Sequence, residues 1–137
     1  MRFAQVIGFG ERKGFFINTL IDNAIAKKTL VIYGSGMQKR HYIYIKDVCR
    51  AVLKASEKIS VSGVFNIGMQ QSYTNLELAE SVNEAFDNRG NLIHDYDKVM
   101  DAADDEMETA KASNFLNFTA EYDLLESFKD MNALIQY

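Results

Sequence analysis

Arg40 is the charge in this chain placed most suggestively for chemistry. It follows the stretch Tyr33-Gly34-Ser35-Gly36-Met37-Gln38-Lys39 and precedes His41-Tyr42-Ile43-Tyr44-Ile45. Read locally, the segment is a strand, a tight turn offering backbone N–H groups, a fixed cation and a second strand, an arrangement able to hold a phosphorylated small molecule. A guanidinium grips two phosphate oxygens at once, which a lysine ammonium does not. Strand alternation sets Arg40 opposite His41 and on the face of Tyr42. A surface arginine paired with a helix carboxylate uses the same residue type, so spacing alone leaves both readings open.

Other reactive side chains give weaker patterns. Tyr33, Tyr42 and Tyr44 offer faces to a nucleobase, or equally pack across strands. Cys49 lies beside Val48 in an amphipathic stretch and reads as a buried, inert thiol. His94 is a general-base candidate or an exposed histidine at a strand end. The run Asp101, Asp104, Asp105, Glu106 and Glu108 lacks the central glycine of a calcium loop and reads as a solvated acidic face. His41, His94 and Cys49 have no metal-ligand spacing, so no metal site is expected. Gly8-Phe9-Gly10 and Gly34-Ser35-Gly36 are only fragments of a phosphate-binding fingerprint, and no serine sits in a G-x-S-x-G elbow.

The elements that must position Arg40 alternate between strand and helix. Strands are expected at 2–8, 29–34, 41–45 and 61–68, with a further short one at 91–96. Helices are expected over 14–28, with lysines in its last turn, and over 47–58, with Asp47 as N-cap. A third follows the capping residues Ser72 to Asn75, a short fourth spans about 108–116, and a last one runs from Tyr122 to Leu134. The stretch 98–108 is acidic and reads as an exposed loop. This alternation predicts an α/β fold, and with no repeat, linker or proline the 137 residues read as a single domain or fragment.

Composition narrows the class. The 47% hydrophobic and 25% charged content is that of an ordinary globular protein, and one cysteine excludes an internal disulfide, which suits a cytoplasmic setting. No stretch approaches the ~18 apolar residues of a membrane span. The net charge of −4 argues against nucleic acid as a partner. That charge is divided unevenly: residues 1–70 carry 11 basic and 4 acidic side chains, residues 71–137 carry 4 and 15. Either these are solvated faces of opposite sign, or the basic half faces an anion.

The blocks RFAQVIGFGER, GFFINTLIDNAIAKKTLVIYGSGMQKRHYIYIKDVCRAV, GVFNIG and NLELAESV, followed by METAKASNFLNFTAEYDLLESFKDM, resemble a known family. They are similar to the C-terminal, substrate-binding half of the NAD-dependent epimerase/dehydratase family, the extended short-chain dehydrogenase/reductases that act on nucleotide sugars, and look UDP-glucose 4-epimerase-like. The resemblance spans nearly the whole chain. It implies a substrate-domain portion lacking most of the Rossmann domain, the glycine-rich cofactor loop and the catalytic Tyr-x-x-x-Lys. NAD serves the parent family through transient hydride transfer; none is expected to bind this chain alone, and no catalytic residue is carried over. A nucleotide-diphosphate sugar is the implied ligand, and a separate Rossmann-domain partner or a homo-oligomer the implied assembly. The alternative is a non-catalytic module binding a sugar nucleotide or a protein.

Residue by residue, the resemblance implies that Arg40 contacts the diphosphate. It sets Val31 and Tyr33 beside the nucleobase, Phe15 and Phe16 where the helix start closes over it, and Gln5 near the sugar. Phe3 and Ala4 match strand residues near the nicotinamide, and Asn66 belongs to the family's N-I-G strand. Gln5 stands for a usual asparagine, Ile7 for a tyrosine and Asn18 for a proline, and 91–106 offers no second phosphate-binding arginine.

Overall fold

The structure, a computed structural model, describes residues 1–10, 14–98 and 103–135. Its strands are β1 (Arg2–Phe3), β2 (Gln5–Ile7), β3 (Leu30–Tyr33), β4 (Lys39–Arg40), β5 (Tyr42–Tyr44), β6 (Asn66–Ile67), β7 (Tyr73–Thr74) and β8 (Leu92–Asp95). Its helices are α1 (Phe16–Ile25), α2 (Ile45–Ser56), α3 (Asn75–Ala85), α4 (Ala110–Leu116) and α5 (Leu124–Ile135). The α/β alternation is therefore as expected.

Pairing follows a different plan from the local reading. β3 pairs in parallel with β8, β2 with β5 and β1 with β6, while β4 runs antiparallel to β7. No hairpin joins the strands on either side of Gly34-Ser35-Gly36, because each finds its partner far along the chain. Gly34 and Gly36 take φ of 65° and 71°, a left-handed backbone that L side chains adopt at a cost. The expected 41–45 strand is also corrected. His41 interrupts β4 and β5, and Ile45 already begins α2.

The described residues form two cores. The larger gathers Ile17, Leu20 and Ala24 of α1, Leu30 and Ile32 of β3, Leu78 and Val82 of α3, and Phe128 of α5. Their spacing of three and four along the helices is what brings one stripe of each helix to the same place. The smaller joins Ala4, Ile43, Ala51, Ile67, Leu116 and Phe118. Ala4 sits at the break between β1 and β2, so the expected 2–8 strand serves both cores in two short pieces. β3 alternates, with Leu30 and Ile32 inaccessible and Val31 and Tyr33 half-buried, rather than being buried throughout.

Helix ends also depart from the local reading. α1 stops at Ile25, and Lys27 at φ 56° leaves the helix and donates from Nζ to the carbonyls of Phe86 and Asp87 at 2.7 and 2.8 Å. That lysine complements the C-terminus of α3, not of its own helix. Asp47 is not an N-cap, because α2 begins two residues before it, at Ile45. Cys49 is exposed, not buried: it lies about 200° around the helix from the buried Asp47 and Ala51. The capping chemistry before α3 is as expected, with Thr74 Oγ1 accepting from the Glu77 N–H and Glu77 accepting from the Thr74 N–H.

Candidate functional site

The C-terminal end of β2, the start of α1 and the end of β4 surround one concavity of about 740 Å³, lined by Gln5, Gly8, Phe9, Phe15, Arg40, Ile45 and Asp105 among others. β2 places Gln5 beside Tyr42, and the Gln5 N–H donates to the His41 carbonyl at 3.1 Å. Gly8 lets the backbone pass the first residue of α2, since a Cβ there would come 2.8 Å from Ile45 Cγ2. Phe9, Phe15 and Ile45 are 66%, 48% and 41% exposed, so the walls are apolar and open to solvent.

Arg40 closes β4, opposite Tyr73 on β7. The other edge of β4 carries the segment that follows residue 102. Arg40 Nη1 donates to the Ala103 carbonyl at 3.2 Å, the Lys39 N–H to Asp104 Oδ1 at 2.9 Å, and the Asp105 N–H to the Lys39 carbonyl at 3.0 Å. The Met107 N–H then reaches His41 Nδ1 at 3.1 Å, which leaves Nε2 to donate to the Met69 carbonyl at 2.7 Å. The part of the expected acidic loop at 103–108 is irregular, but a row of backbone and side-chain bonds straps it to the cation-bearing strand. Residues 99–102, with Asp101, lie outside the described residues.

Charge in the concavity is felt beneath it. Burial raises the Tyr42 hydroxyl from 10.0 to about 12; the Arg40 guanidinium pulls it down and the Asp105 carboxylate pushes it up. A cation and an anion thus share this chamber. One guanidinium on an open, apolar-walled site can hold an anionic group while aromatic faces cover an attached ring.

Of the residues singled out by sequence, Gln5, Phe15 and Arg40 come together here. Phe16 turns instead toward the larger core. Val31 and Tyr33 lie on β3, where Lys98 Nζ stands 5.1 Å from the centroid of the Tyr33 ring. Tyr42 and Tyr44 are buried and offer no face to a ligand. Phe3 is exposed on β1, Ala4 is buried, and Asn66 donates to the Glu108 carbonyl at 3.0 Å. His94 is half-buried, with Nδ1 2.9 Å from the Gly34 carbonyl and its ring stacked on Tyr96. Sequence reasoning missed Phe9, Ile45 and Asp105 as lining residues. The Gly8-Phe9-Gly10 spacing hinted at the first; nothing in an acidic run marks which carboxylate will meet Arg40. Among the described residues no group of acidic, histidine and cysteine side chains could hold a metal ion, and no helix is long and apolar enough to cross a membrane.

Comparison with known proteins follows the same geometry. The model of the NAD dependent epimerase/dehydratase family matches residues 1–68. UDP-glucuronic acid decarboxylase 1 of Arabidopsis thaliana is 28% identical over 118 residues, which are 86% of this chain and 27% of that protein. The UDP-N-acetylglucosamine 4-epimerase of Bacillus cereus superposes with a TM-score of 0.87 at 30% identity, over 98% of this chain and 44% of that one. MoeE5, solved with UDP-glucuronic acid and NAD, superposes with a TM-score of 0.77 at 27% identity, over 98% of this chain and 46% of its own. The chain thus spans less than half the length of these solved structures and about a quarter of the decarboxylase. With the motif blocks, the family match and the superposition in agreement, this chain belongs to the NAD-dependent epimerase/dehydratase family, as an α/β portion of an extended short-chain dehydrogenase/reductase.

Proposed function

We propose that this chain is the nucleotide-sugar-binding portion of a UDP-glucose 4-epimerase-like enzyme, with Arg40 holding the diphosphate. The observation that carries this reading is the convergence of Gln5, Phe15 and Arg40, from three separate elements, on one concavity. In this reading Arg40 binds the phosphate oxygens in bidentate fashion, Phe15 covers the nucleotide and Gln5 faces the sugar. Val31 and Tyr33 border the base from β3, Phe16, packed against the larger core, backs the start of α1, and Phe3 and Ala4 belong to the nicotinamide side.

The residues described here do not fit NAD by themselves. α1 is flanked by β2 and β3, which pair with β5 and β8 and not with each other, so no βαβ dinucleotide unit surrounds the helix. Ala4 is 6% exposed and already packed in the smaller core. The chain alone binds nucleotide sugar without turning it over, and hydride chemistry belongs to residues it does not contribute. A separate Rossmann-domain partner or a second copy is supported by β1, whose only strand partner among the described residues is β6.

Isothermal titration calorimetry with UDP-glucose and dTDP-glucose tests the reading. A charge-assisted bond lost from phosphate is worth about 1.5–3 kcal/mol, so Arg40→Ala should weaken binding by roughly ten- to a hundredfold. Arg40→Lys should recover only part of the loss. Equal affinity in wild type and Arg40→Ala would overturn the assignment.

A further inference from the structure

We propose that Asp105 is a charge filter in this site, making it favour diphosphates esterified at both ends over free nucleoside diphosphates. The inference rests on the reading of the Arg40 concavity as a nucleotide-sugar site and adds a selectivity to it.

The strap along β4 places Asp105 deliberately. Its own N–H donates to the Lys39 carbonyl at 3.0 Å, which sets residue 105 beside Arg40. Asp104 on one side is taken up by the Lys39 N–H at 2.9 Å, and Glu106 on the other pairs with Lys39 Nζ at 3.8 Å. Among the described residues of the run, Asp105 is the carboxylate that lines the concavity with Arg40. The opposed pull of Arg40 and Asp105 on Tyr42 places both charges within reach of one buried ring.

A diphosphate diester carries two negative charges at neutral pH. A free nucleoside diphosphate ends in a phosphate monoester, whose second ionisation near about pH 6 adds up to one more. With Arg40 alone, that extra charge would strengthen binding. With Asp105 in the same chamber, repulsion offsets the attraction, and the terminal monoester gains nothing over the ester. The open apolar walls at Phe9 and Phe15 still reward the larger, esterified ligand. An enzyme portion built this way avoids being filled by free nucleotide.

The test is calorimetry on the 137-residue chain with UDP-glucose and UDP, at low and at high salt, using wild type, Asp105→Asn and Asp105→Glu. Removing one nearby unit charge in a solvent-exposed chamber corresponds to roughly three- to tenfold in affinity. Asp105→Asn should tighten UDP by that factor and UDP-glucose by less, so the preference for the ester narrows. Asp105→Glu should keep the wild-type preference, and salt should erase the difference between the variants. Asp105→Ser gives a second neutral side chain, should the amide disturb the strap. An unchanged ratio in a protein that still binds UDP-glucose through Arg40 overturns the filter and leaves the site reading intact. Wild type that binds neither ligand overturns both.

Discussion

Gly68 lies beneath the His41 ring, where a Cβ would come 2.6 Å from Cδ2 and 2.8 Å from Nε2. His41 is held by bonds at both ring nitrogens and cannot swing aside without losing them. Gly68→Ala should therefore lower stability by about 1–3 kcal/mol, read as a fall in the urea midpoint at unchanged slope. No shift in the midpoint would mean the ring has room that the geometry denies it. Asp130 offers a second residue-scale test. Lys46 Nζ and Tyr44 Oη donate to its two oxygens at 2.7 and 2.5 Å, and these bonds, Lys46 first, hold its carboxyl below the ordinary 3.8. Burial and the same carboxylate push the Tyr44 hydroxyl well above its usual value. Because the folded-state value of Asp130 is depressed, its contribution is complete above the unfolded value of 3.8 and is lost as pH falls through the folded one. Thermal unfolding of wild type and Asp130→Asn should differ most near neutral pH and converge below pH 3.8. A gap that widens in acid would reverse the sign of this account.

At the scale of elements, α2 is anchored by a side chain that local reasoning had assigned to its cap. Asp47 is inaccessible to solvent, accepts the N–H groups of Glu121 and Tyr122 at 3.1 Å each, and pairs with Arg50 one turn on. It therefore ties the first turn of α2 to the backbone that leads into α5, some 75 residues later. Asp47→Ala would leave two backbone donors without their acceptor and take from Arg50 one of the two carboxylates it pairs with, and should cost about 3 kcal/mol by chemical denaturation. A loss under about 0.5 kcal/mol would show the tie to be incidental. The contrast with Thr74 is instructive. A capping box closes within four residues, so Ser72 to Asn75 followed by Glu77 announces it. The Asp47 contact closes across most of the chain, and an aspartate followed by a helical pattern looks like a cap either way.

At the scale of the whole molecule, the charge asymmetry between the two halves is partly spent within the chain. Lys39 pairs with Glu106, Lys46 with Asp130 and Arg50 with Glu121, each joining the basic first half to the acidic second. Neither of the earlier alternatives, separate solvated faces or a basic half turned to an anion, anticipated this cross-pairing. What remains unpaired at this scale is apolar surface and strand edge. Phe3 on β1 and Val52 and Leu53 on α2 are 38%, 46% and 63% exposed, and β1 has a strand on one side only among the described residues. Such an edge is a template for another strand. Size-exclusion chromatography with light scattering should show a mass that rises with concentration, and Phe3→Lys should suppress that rise. A wild-type mass equal to one chain at every concentration would instead favour an autonomous module.

The sequence by itself determined the alternation of helices and strands, because apolar residues repeat with the helical and strand periods over short windows. It also determined the capping box before α3 and the presence of a fork-shaped cation beyond a glycine turn. Only the tertiary structure decided that β3 pairs with β8 and β4 with β7, that Tyr42 and Tyr44 are core residues, and that Asp105 shares a chamber with Arg40. The physical reason is range. Periodicity and capping are settled between neighbours a few residues apart, whereas strand partners and pocket walls come from distant segments, with Gln5 and Asp105 of the one concavity 100 residues apart, chosen by the packing of cores that no local window contains.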